Sequence, residues 1–108
     1  MSLLALSGEK VHAMSTMHCE IRSRPVSGGV ELTGVITASR ELRGDYRFSV
    51  ESHGAGGSSN IVQSGLFTLR PNEMRLVGAV MVNSGSGSSF VARLYVRSDE
   101  GKTCVAHN

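Results

Sequence analysis

From Cys19 onward apolar and polar residues alternate along most of the chain, and short clusters of glycine, serine, asparagine and proline interrupt the alternation. In VELTGVITA (30–38), Val30, Leu32, Ile36 and Ala38 fall on one side and Glu31, Thr33 and Thr37 on the other. A repeat of two is the signature of a strand with one buried face. The same repeat sets Tyr46, Phe48 and Val50 against Arg47, Ser49 and Glu51 in YRFSVES (46–52). It recurs in FVARLYVRS (90–98), where Phe90, Ala92, Leu94 and Val96 face in and Arg93, Tyr95 and Arg97 face out. Shorter or less regular strands are expected over CEIRSR (19–24), ending at Pro25, over NIVQSGLFTL (60–69), over MRLVGAVMV (74–82) and over TCVAH (103–107).

The punctuation between them predicts turns and loops. VSGG and ELRGD read as turns, RPNE (70–73) as a turn with Pro71 in its second position, and DEGK (99–102) as a tight hairpin turn. HGAGGSS (53–59) and NSGSGSS (83–89) read as flexible loops, and Gly65 as a bulge or a switch between sheets. About seven strands with no helical periodicity predict an all-β fold, a seven-stranded immunoglobulin-like antiparallel β-sandwich. The tryptophan of antibody domains is missing, so the expected fold is a variant of that architecture.

A length of 108 residues suits one domain with its own core. Residues 18–108 are assigned to it and residues 1–17 to a flexible N-terminal leader. In that leader LLAL is too short for the apolar stretch of an export signal and no basic segment precedes it, although VHA (11–13) has the form of a cleavage site. No apolar run approaches the roughly 20 residues of a membrane helix, so no membrane partner is expected. The net charge of +2 is far from a nucleic-acid footprint. Nine of the 11 basic residues are nevertheless arginine, whose planar fork suits carboxylate-bearing and polar polypeptide partners.

Cys19 and Cys104 admit four readings. A zinc site needs clustered ligands, and only His18 and His107 lie near, with no Cys-x-x-Cys spacing. A catalytic thiol needs a base, but His18 beside Cys19 on a strand points to the opposite face. Two unpaired structural thiols are the third reading. The favoured fourth is a disulfide between the first and last strands, worth roughly 4 kcal/mol through loop closure and implying an oxidising compartment. No metal and no cofactor are expected.

Nothing here reads as an enzyme. The two Gly/Ser loops lack the Lys-Ser/Thr ending of a phosphate-binding loop, and Ser64 lacks the context of a nucleophile elbow. The carboxylates Glu31, Asp45, Glu51, Glu73, Asp99 and Glu100 form no evident catalytic pair. The outward stripes offer more. Arg47 on the third strand and Arg93, Tyr95 and Arg97 on the sixth would share one sheet face in an immunoglobulin-like topology. Such a face is either a solvated surface that discourages edge pairing or a protein-contact surface, since arginine and tyrosine are enriched at interfaces.

The strand order, and LFTLRPNEMRLVGAVMVNSGSGSSFVARLYVRSDEGKTC (66–104) above all, resembles the periplasmic inhibitors of curli amyloid assembly, the CsgC/CsgH family, and more closely its CsgH branch. The features carrying it are Phe67, Leu69 and Pro71 at alternate positions, an apolar strand, a Ser/Gly loop and VARLYVRSDEG. The resemblance implies a periplasmic, chaperone-like monomer that keeps an amyloid subunit from polymerising. The resemblance carries over no residue-level client site; the outward stripes themselves make Arg47, Arg93, Tyr95 and Arg97 the expected client-binding residues. The resemblance carries over no redox role either, because the Cys-x-Cys pair of the enterobacterial branch is absent: Met17 and Ile21 flank Cys19 at that spacing, and Lys102 and Ala106 flank Cys104. The competing expectation is a periplasmic adhesion or assembly module that binds its partner by strand addition.

Overall fold

Alternating side chains can be buried on one face only if a second sheet covers them, and the chain supplies two. A computed structural model describes residues 17–108 except Ala55, Ser84 and Ser86. These form strands β1 (Met17–Val26), β2 (Gly29–Ala38), β3 (Leu42–Gly54), β4 (Gly57–Leu69), β5 (Met74–Asn83), β6 (Ser89–Ser98) and β7 (Thr103–His107), all paired antiparallel. One sheet has the order β1-β2-β5 and the other β4-β3-β6-β7. The result is an all-β sandwich whose pairing is compatible with an immunoglobulin-like arrangement. The leader expected over residues 1–17 lies outside the described residues, save that Met17 opens β1.

The inward positions match the period-two reading. Leu32, Ile36, Phe48, Val50, Leu69, Leu94 and Val96 are fully buried between the sheets. Each contributes about 1.5–3 kcal/mol by leaving water. Outward residues of β3 and β6 are exposed or half-buried, whereas β2, the middle strand of its sheet, keeps Glu31, Thr33 and Thr37 half-buried and Val35 buried on its outer face.

Four local expectations change. β1 runs through Pro25 to Val26 and turns at Ser27–Gly28, because Pro25 lies on an edge strand, where a missing N–H costs no ladder bond. β3 begins at Leu42, inside the segment read as a turn; Leu42 is buried in the core. β3 and β4 extend through most of HGAGGSS and pair as far as Gly54 and Gly57, since backbone pairing does not require the side-chain pattern that marks a strand in sequence. Gly65 is neither bulge nor switch: β4 pairs with β3 in unbroken register, and Gly65 sits opposite Tyr46, whose ring packs over it.

The irregularity lies instead between Thr33 and Gly34 of β2, which pair with Ala79 and Val77 and leave Gly78 as the extra residue of β5. Gly78 has φ of 76°, and a Cβ there would sit 2.8 Å from both Phe48 Cδ2 and Gln63 Oε1. Only glycine fits. The RPNE turn forms as expected, with Glu73 N–H donating to the Arg70 carbonyl at 3.1 Å and Asn72 at φ 63°. A positive φ at the third position marks a type II turn, which asparagine tolerates.

Candidate functional site

The antiparallel register places the outward residues of the four-stranded sheet in rows. Ser64 of β4, Arg47 of β3, Tyr95 of β6 and Val105 of β7 lie side by side. The row on one side is Val62, Ser49, Arg93 and His107; on the other it is Leu66, Asp45, Arg97 and Thr103. The four residues expected to share a face are therefore neighbours. Arg47 is directly opposite Tyr95, and Arg93 and Arg97 sit two places along β6 to either side.

Their electrostatic states differ. Arg97 Nε lies 3.5 Å from Asp45 Oδ1, so part of its charge is answered within the face. Arg47 and Arg93 make no ion pair among the described residues. They border a shallow open depression of about 540 Å³ together with Glu51, Asn60, Val62 and Tyr95. A carboxylate or amide entering it meets the guanidinium forks of Arg47 and Arg93 and the half-buried Tyr95, with the Glu51 carboxylate also on the rim.

Apart from Asp45 on the face and Glu51 at the rim of the depression, the carboxylates singled out in the sequence are engaged elsewhere. Glu31 pairs with Arg24, Glu73 with Arg75, Glu100 with Arg40 and Asp99 with Arg43, all at the surface, where each pair contributes little. Glu73 is held below its ordinary pKa of 4.5, mainly by the Arg70 backbone N–H and further by Arg75. Glu100 is held low by its hydrogen bond and ion pair with Arg40. These groups brace turns and do not form an acid–base pair.

Cys19 and Cys104 are joined as a disulfide, tying β1 of one sheet to β7 of the other. Cys19 is inward and buried, while His18 beside it is exposed. The two thiols of the sequence are therefore a clasp across one side of the sandwich.

One feature of the face is absent from the stripes read in the sequence. Val62 and Leu66 of β4 face outward beside Ser49 and Asp45 and are 47% and 86% exposed. The alternation of Val62, Ser64, Leu66 and Thr68 against Gln63, Gly65, Phe67 and Leu69 carried that information, but serine and glycine within it blurred the period.

The described residues thus form a disulfide-clasped β-sandwich with open, shallow depressions and a cationic, tyrosine-bearing sheet face. A family model described as CsgH protein matches residues 18–107, and the chain belongs to this CsgH family. Among solved structures, R. palustris CsgH in solution is similar at 35% identity and a TM-score of 0.71, covering 85% of this chain and 90% of its own. The E. coli curli protein CsgC shares the fold at 13% identity and a TM-score of 0.70, over 86% of this chain and 96% of its own. A search of curated proteins finds no match.

Proposed function

We propose that this protein is a periplasmic, chaperone-like inhibitor that delays polymerisation of a curli-type amyloid subunit by binding it weakly and transiently. The contact is the outer face of the four-stranded sheet. Arg47 and Arg93 attract carboxylates and side-chain amides of the client, Tyr95 adds apolar area, and Arg97 frames the site from its pairing with Asp45. Membership of the CsgH family, and the likeness of fold to a curli protein, support the client class. The disulfide supports a compartment outside the cytoplasm.

The observation that carries this reading is the juxtaposition of Arg47 with Tyr95 and of Arg93 two places along, with neither arginine engaged by a carboxylate among the described residues. Surface charge of this kind steers encounter and is screened by salt. The test is a thioflavin time course of amyloid-subunit polymerisation at low molar ratio of this protein. Wild type lengthens the lag, and the doubly reversed variant R47E/R93E brings it back toward that of subunit alone. A full wild-type delay in R47E/R93E, with its fold intact by circular dichroism, removes the face from the mechanism.

A further inference from the structure

Every open sandwich has four edge strands, each offering a row of unpaired backbone groups to any extended chain that meets it. Three of the four here are blunted. β1 carries Glu20, Arg22, Arg24 and Pro25. β7 is only five residues long and is pinned by Cys104. β5 is broken by its bulge at Gly78, and its next residue is already occupied. There Ala79 N–H donates to Gln63 Oε1 at 2.9 Å and Gln63 Nε2 donates to the Ala79 carbonyl at 3.1 Å. The carboxamide of Gln63 thus fills the place that a pairing strand would take.

β4 has none of these devices. Its 13 residues, GSSNIVQSGLFTL, contain no charge and no proline, pair with β3 without a register shift, and among the described residues have no strand on the other side. We infer that the free edge of β4 is a strand-addition site, and that it takes an extended segment of uncharged polar residues with one carboxylate flanked by apolar side chains two positions away on each side. For the identity of the client this rests on the inhibitor reading above; the edge and its chemistry do not.

The side-chain pattern follows from the register. An added antiparallel strand presents alternate residues on the outer face, next to Val62, Ser64 and Leu66. Opposite Ser64 the next group in the row is Arg47, about 10 Å from the new strand at the usual inter-strand spacing. An arginine spans most of that gap across a small serine, so an aspartate or glutamate at this place is answered. Opposite Val62 and Leu66 an apolar residue covers surface that is now wet. Between these outward residues, β4 offers only backbone, Gly65 and the already engaged Gln63, which leaves polar uncharged residues as the fitting neighbours. A lysine at the central place would meet Arg47 and be rejected.

The test uses a nine-residue peptide of serine, glycine and asparagine, with aspartate at its centre and leucine two places to either side. It is titrated into the intact protein by heteronuclear NMR. Expected are shifts and slowed amide exchange along residues 60–68 of β4, at least a tenfold loss of affinity when the central aspartate is replaced by lysine, and loss of binding when alternate peptide amides are N-methylated. The variant V62K/L66K changes only exposed positions and should bind no peptide while keeping its fold. Undiminished binding of the N-methylated peptide, binding to V62K/L66K equal to wild type, or no binding by the parent peptide each overturns the inference. So does sedimentation showing that wild type alone is a dimer that V62K/L66K dissolves, because the edge would then be serving a second copy. Wild-type delay of subunit polymerisation that persists in V62K/L66K overturns the assignment of the amyloid subunit to this edge and leaves the inhibitor reading standing. Peptide binding by a wild type that leaves polymerisation unchanged does the reverse.

Discussion

Along one long side of the sandwich β1 and β7 are joined through Cys19–Cys104, whereas along the other β4 and β5 are held by packing and by the carboxamide of Gln63. The closed side carries charges, a proline and a short strand, and it is unavailable to a partner. The open side carries the apolar residues Ile61, Val62, Leu66, Met74, Leu76 and Met81 at its surface, next to the cationic face. Stability and access are thus assigned to opposite sides. If the open side takes a client as proposed, the clasp lets the domain hold itself together elsewhere.

Breaking the closed side has the largest expected effect. The disulfide spans 85 residues, so replacing both cysteines by serine removes about 4 kcal/mol of loop-closure stabilisation. Denaturant unfolding should show an unfolding free energy lowered by that amount, and a correspondingly lower midpoint, with the folded variant still retaining Arg47 and Arg93 in place. Its inhibition of polymerisation at a temperature where it remains folded should therefore equal wild type. Loss of inhibition in a fully folded C19S/C104S variant would mean that the clasp has a function beyond stability.

The open side depends on backbone geometry. G78A puts a Cβ against the Phe48 ring and Gln63 at a positive φ, and the backbone strain alone costs about 1–3 kcal/mol. A stability equal to wild type would show that the bulge relaxes without loss. Q63A removes two hydrogen bonds to Ala79, worth about 1 kcal/mol each, and uncovers the edge of β5. Concentration-dependent self-association should appear in sedimentation velocity for Q63A and be absent from wild type. Q63E separates the two roles, since a carboxylate still accepts from Ala79 N–H but cannot donate to its carbonyl.

Much of this architecture was legible in the sequence. β3 and β6 alternate because one face is buried under the opposite sheet and the other is largely wet, β2 alternates in sequence although its outer face also buries Val35, and the inward residues of all three were read correctly. The disulfide was favoured in the sequence, where neither His18 nor any Cys-x-x-Cys spacing supported metal or catalytic chemistry, but two unpaired thiols stayed open until the strands were placed. β4 was half hidden: its serines and glycines look like loop, yet strand pairing is a backbone property, and Gly65 is tolerated because Tyr46 covers it. Gln63 was invisible. Nothing local distinguishes a glutamine that caps a distant edge from one that faces water, because its partner Ala79 lies across a turn and a sheet.

The finest comparison between the two sides is electrostatic. Glu73 lies in the turn joining β4 to β5 on the open side, and Glu100 in the turn joining β6 to β7 on the closed side. Both carboxyls are held below the ordinary value of 4.5, Glu73 first by the Arg70 amide and Glu100 first by Arg40. A carboxyl whose pKa is lower folded than unfolded adds stability that is complete above pH 4.5 and is lost as the pH falls through the folded value. Melting temperature should therefore be flat from neutral pH to about 5 and decline in the acid range, modestly, because both groups are exposed and screened. E73Q and E100Q should each start lower and flatten that decline. High salt should mute the Glu100 contribution more than that of Glu73, whose main partner is a backbone amide at 2.8 Å. Acid slopes that are the same in wild type and both variants would show that neither turn is braced by its carboxylate, and that the sides differ in backbone and covalent structure alone.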